Sequence, residues 1–256
     1  MREIGALRTL AALVLRDLGC ALRTPTIVFM ALVGVALCWV IAQWSGSLDP
    51  VDEDVRRFLL ALDAIVPPLM GGSSVALFLL AEEREHGACA ALACAGVPLG
   101  STVVAKVLAA MASTALVALA CLAVTAVPVD CWAPSVVAVT VASLPLLVVA
   151  AAMGTVVRTY AQTSGPCLVL VCLALPPQLA TLDAALAPIA MLSPVEAGAV
   201  AVTWLASGAV PAEGWGLVAA VYAVWAAASA AFMAACLRHR ARQDRDACAA
   251  QTAAQI

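Results

Sequence analysis

The sequence predicts an all-α integral membrane protein, and three observations carry that prediction. Of its 256 residues 64% are hydrophobic and only 11% are charged, whereas soluble domains carry roughly a quarter charged residues. Mean hydropathy is +1.05. Six apolar stretches are long enough to approach the roughly 20 residues that cross a hydrocarbon core, and the charges fall in short clusters between them. These stretches with their short connections use the whole chain, so residues 1–256 read as a single transmembrane domain. A net charge of −3 leaves no basic footprint for nucleic acid.

The first element, residues 2–24, is an amphipathic helix. Ile4, Leu7, Ala11, Val14, Leu18 and Leu22 recur at spacings of three and four, which stacks them on one face. Arg2, Thr9, Arg16 and Arg23 fall opposite, as expected of a helix lying in the inner interface with its cations toward headgroups. No uninterrupted apolar core or small-residue cleavage site precedes Pro25, so a secretory signal is not expected here.

The first span is expected over residues 26–44, with Pro25 suited to a first helical turn and Trp39 and Trp44 as interfacial anchors. An acidic connector with Asp49, Asp52, Glu53 and Asp54 follows. The second span, 58–81, contains Pro67-Pro68 and Gly71-Gly72 and should kink or unwind there. The third span, 102–127, begins beside Lys106, whose long stem is expected to snorkel to the interface. The fourth, 135–157, is free of charge, and the fifth, 166–186, is interrupted by Pro176-Pro177. Residues 195–210 are bounded by Pro194 and Pro211 and are too short for a span, so a re-entrant or interfacial outer segment is expected. The sixth span covers 215–237, and Arg238-His239-Arg240-Ala241-Arg242 opens a cytoplasmic tail, 238–256.

With both termini inside, eleven of the thirteen Lys and Arg residues fall on inner segments or inner span ends, leaving Arg56 and Arg57 outside. That asymmetry is what the positive-inside rule requires. A full span at 195–210 would put the basic tail outside, so six spans are favoured over seven.

No chemistry-bearing motif is present: no G-x-x-x-x-G-K-[ST], no H-E-x-x-H and no G-x-S-x-G. His86, Cys89 and Cys94 match no zinc spacing, so neither a metal nor a cofactor is expected. Most of the ten cysteines read as small buried apolar residues, because nearly all fall in spans or on the inner side. A catalytic role is not expected either.

Charges inside spans cost about 2.5–3.5 kcal/mol at the helix centre and need a reason. Asp63 and Asp183 are the two instances. Each is either a carboxylate at a solvated helix end or one wall of an outward-facing substrate cavity.

The strongest feature is Glu82-Glu83-Arg84-Glu85-His86-Gly87, which closes the second span. Residues 82–100 form an inner loop of about 20 residues, where helix connections in bundles need about two to eight. A short inner helix there suits docking of a cytoplasmic partner better than mere connection.

The order of interfacial helix, two spans, Glu83-Arg84-Glu85-His86-Gly87, short helix, Val97-Pro98-Leu99 and Lys106 resembles the permease subunit of ABC-2 type transporters. Leu192-Ser193-Pro194 resembles the family's segment between the last two spans, and Ala88 stands where the family often has Thr. The resemblance implies that Glu83, Arg84, Glu85, His86 and Gly87 open a coupling helix contacting a P-loop ATPase subunit. It further implies a second permease subunit, identical or different, a bacterial inner or plasma membrane, and export of a substrate the sequence does not identify. Haem-export permeases of cytochrome c maturation share much of this layout, and an accessory or immunity membrane protein without transport is the remaining alternative.

Overall fold

The computed structural model describes residues 2–46, 53–88, 92, 98–125, 127–208, 210–211 and 214–253. Among them the chain is helical throughout, with no strand. In order the helices are α1 (Arg2–Arg23), α2 (Pro25–Gly46), α3 (Glu53–Val66), a π-helical turn (Pro67–Ser73), α4 (Ser74–Glu85), α5 (Leu99–Val124), α6 (Trp132–Ala142), α7 (Leu144–Val156), α8 (Ser164–Ala174), α9 (Pro176–Leu182), α10 (Ala187–Ala190), α11 (Glu196–Ser207) and α12 (Trp215–Ala253). Most of the inner patch between Ala88 and Ala95 lies outside the described residues.

Four helical stretches are long and apolar enough to cross a membrane: Pro25–Ser45, Val55–Glu85, Leu99–Val124 and Trp215–Gln243. Two further pairs qualify as bent spans, α6 with α7 at 43° and α8 with α9 at 45°. Both bends sit at prolines, Pro145 in the first turn of α7 and Pro176-Pro177 in α9. A proline removes one backbone donor and its ring crowds the preceding turn. The second bend was expected from the proline pair; the first was not.

The α3–α4 stretch is the centre of the bundle. Its most apolar window is 89% buried, against 17% for Pro25–Ser45 and 11% for Trp215–Gln243. The outer helices turn Phe29, Leu32, Trp39, Trp44, Leu217, Val224 and Phe232 outward, an apolar exterior suited to lipid. The Pro67-Pro68 pair does not break the central helix. The backbone widens into seven residues of π-helix, an arrangement that absorbs the lost donors without ending the rod.

Close packing there depends on glycine. A Cβ on Gly72 would lie 2.1 Å from Thr114 Oγ1 and 2.6 Å from Leu147 Cδ2, so α5 and α7 both approach the central helix at this point. Small residues permit such approach where no hydrophobic force drives helices together.

Two expectations change. The buried face of α1 is Leu13, Asp17 and Ala21, with Val14 and Leu18 packed beside it, while Leu22 is 73% exposed and Ala11 is exposed too. The face is rotated because a carboxylate, invisible to an apolar count, points inward. In addition, the basic run Arg238–Arg242, expected to follow the last span as a tail, lies within α12, which continues to Ala253. Charge ends a membrane crossing but not a helix.

The segment before α12 doubles back. Ser193 Oγ donates to Leu173 O in α8 (2.7 Å), and α11 then returns over 12 residues to Gly208, which closes it with a positive φ of 73°. Twelve residues rise about 18 Å, too little to cross a hydrocarbon core of about 30 Å. Arg56, in the first turn of α3, and Cys131, in the connection before α6, reach Ala206 O and Leu205 O (2.9 and 3.4 Å) at the far end of α11.

Candidate functional site

The end of α4 gathers a dense group of polar contacts between helices. Consecutive helical residues point about 100° apart, so Glu83, Arg84 and Glu85 leave the rod in three directions. Each finds a different element.

Glu83 faces α1 and α5. Its Oε1 lies 3.0 Å from Lys106 Nζ and 2.5 Å from Arg16 Nη2. Asp17 completes the group, with Oδ2 at 3.3 Å from Lys106 Nζ and Oδ1 at 2.8 Å from Arg16 Nη2. The four side chains therefore form a closed ring of alternating sign with no net charge. Asp17 and Lys106 are each 1% exposed. Burial acts to lower the pKa of Arg16, but its hydrogen bond to Asp17 and the charges of Asp17 and Glu83 outweigh this and hold it raised. Buried charges persist only when paired; all four side chains are ion-paired, while Asp17 Oδ2 and Glu83 Oε2 are buried with no hydrogen-bond partner among the described residues. Lys106 accordingly does not snorkel to the interface; two carboxylates hold it inside.

Arg84 faces α7 and α12. Its Nη1 donates to Thr155 O (2.5 Å) and Val156 O (2.8 Å), and its Nη2 to Gln243 Oε1 (3.2 Å). The two carbonyls belong to the last turn of α7, where no intrahelical donor remains. A guanidinium there also opposes the negative end of the helix dipole. Glu85 Oε2 accepts from Tyr160 N (2.7 Å), fixing the turn between α7 and α8.

His86 and Gly87 end the helix. His86 is the C-cap, with Nδ1 2.9 Å from Glu82 O, and Gly87 adopts φ +70°, a left-handed position that L-residues enter only at a cost. Gly87→Ala should cost about 1 kcal/mol, read as a lower melting temperature in detergent. Among the described residues no neighbour lies within 4 Å to add a clash. Glu85, His86 and Gly87 are exposed, so this edge of the cluster stays available to another molecule.

The two span aspartates are not equivalent. Asp63 is 1% exposed, and Thr125 Oγ1 donates to its Oδ2 at 2.8 Å. Asp183 is exposed and accepts from Ala185 N at 2.9 Å, which makes it the cap of a short turn. An open groove lies nearby between α3, α9 and α11, lined by Arg57, Ala61, Pro177, Thr181, Glu196 and Thr203 among others; neither aspartate lines it.

Sequence reading missed Asp17. The available signal was a carboxylate four residues from Leu13 and four from Ala21, on a face otherwise apolar. No protein-family model matches the chain, and none of the curated proteins compared with it matches.

Proposed function

We propose that the chain is the membrane-spanning permease subunit of an ATP-binding cassette exporter, driven by ATP hydrolysed on a separate ATPase subunit. The observation that carries the reading is the three-way attachment of Glu83, Arg84 and Glu85. A push delivered at the exposed end of α4 reaches α1 and α5 through the charged ring, α7 and α12 through Arg84, and the α7–α8 turn through Glu85. The central helix then carries the displacement to the opposite end of the bundle, as rigid-body switching requires. In this reading the helices make six spans with both termini in the cytoplasm, the α10–α11 segment re-enters from outside, and two permease subunits sit over two ATPases. The groove lined by Arg57, Glu196 and Thr203 is where substrate meets the chain.

The chain purified from its host membrane should bring a P-loop ATPase with it. In reconstituted vesicles, the Glu85→Arg/His86→Glu double variant should lower coupled hydrolysis several-fold, because it alters the exposed edge and leaves the buried ring intact. A chain that purifies alone and supports no ATP-dependent efflux would favour the accessory-protein reading.

A further inference from the structure

Three side chains from three different helices meet at the end of the bundle away from the charged ring. Cys38 of α2, Asp63 of α3 and Cys121 of α5 are all buried, and their ligand atoms lie within 4.8 Å of one another. We infer that they form a binding site for a thiophilic divalent cation of the zinc class, independent of the transport reading.

Asp63 is only half satisfied. Thr125 occupies Oδ2, while Oδ1 is buried with no hydrogen-bond partner among the described residues. An unsatisfied buried carboxylate oxygen is costly, and here its polar neighbours are two sulfurs. The pocket around the trio is otherwise apolar, built by Leu62, Val66 and Val117. Zinc bonds sulfur at about 2.3 Å and carboxylate oxygen at about 2.0–2.2 Å, so ligands of one tetrahedral ion stand about 3.5–4 Å apart. The observed spacing admits that with small side-chain adjustments.

Charge selects the ion. Two thiolates and a carboxylate carry three negative charges, and a divalent cation reduces this to one in a dry setting. A hard cation such as magnesium would prefer oxygen ligands throughout. The Thr125 bond to Oδ2 has the form of an outer-shell contact that orients a ligating carboxylate. The site lies near the end of α5, since Thr125 is the cap of that helix and Cys121 lies one turn before it. Binding would release the two thiol protons.

The test uses the full chain in detergent, reduced and stripped of metal, titrated with zinc and in parallel with cobalt. One zinc per chain is expected, with about two protons released in weak buffer. Cobalt should give near-ultraviolet thiolate charge-transfer bands of two-thiolate intensity, a readout that needs no variant. Cys38→Ser, Cys121→Ser and Asp63→Asn should each weaken zinc binding at least tenfold, while Cys172→Ser, at an exposed cysteine, leaves it unchanged. Absence of the cobalt thiolate bands, or isolation of the chain with Cys38 and Cys121 disulfide-linked, would overturn the assignment. Zinc binding that Asp63→Asn does not weaken would overturn it as well, since a pair of thiols alone would then explain the affinity.

Discussion

Lys106→Met should cost about 3–5 kcal/mol, the usual result of removing one partner from a buried ion pair. Lys106 and Asp17 are each 1% exposed, and Lys106 bridges Asp17 to Glu83. Methionine fills nearly the same volume, so the loss is electrostatic. Asp17 would keep one cation, Arg16, and lose the ammonium that separates it from Glu83. Set against total stabilities of about 5–15 kcal/mol, such a loss should leave much of the chain aggregated on extraction. The measurement is the monodisperse fraction and melting temperature in detergent. Adding Asp17→Asn should recover a large part of the loss, because it removes the uncompensated charge, and the double-mutant cycle reports the coupling. An unchanged melting temperature in Lys106→Met would show that the ring does not hold the helices together.

Gly72→Ala should be the second most damaging small change. The new methyl would meet Thr114 Oγ1, Leu147 Cδ2 and, at 3.0 Å, the Ala110 carbonyl. Leu147 can shift, but Thr114 is fully buried and its hydroxyl is bonded to Ala110 O at 2.9 Å, so turning it away costs that bond. The Ala110 oxygen is backbone and cannot turn away. The helices must separate, and overpacking of this kind costs about 1–3 kcal/mol or more. Thr114→Ala in the same chain should restore part of the melting temperature by removing the nearest atom. Gly100→Ala is the contrast, with nothing among the described residues within 4 Å of its Cβ, and should change stability little.

How far the sequence could be read differs by element. The apolar stretches were legible because hydropathy adds residue by residue along one segment and needs no partner. Proline pairs were legible as interruptions, although whether Pro67-Pro68 would break the helix or widen it depended on how closely α5 and α7 pack there. The cluster Glu83–Gly87 stood out as charge in an apolar chain. That Glu83, Arg84 and Glu85 hold α1, α5, α7, α12 and the α7–α8 turn was not legible, since helical periodicity gives the direction of a side chain and not what waits opposite. Asp17 was missed for the same reason, and Lys106 was assigned to the interface because its two carboxylates lie on other helices.

By itself, then, the sequence determined that this is an all-helical chain with several helices fit to cross a membrane, where its polar breaks fall, and which charge cluster is out of place. Only the tertiary structure decided that Arg16, Asp17, Glu83 and Lys106 close a neutral ring, and that Cys38, Asp63 and Cys121 share a buried site. The physical reason is common to both. Apolar length is a property of one segment, whereas a buried charge or ligand is tolerated only through partners that packing brings from distant segments.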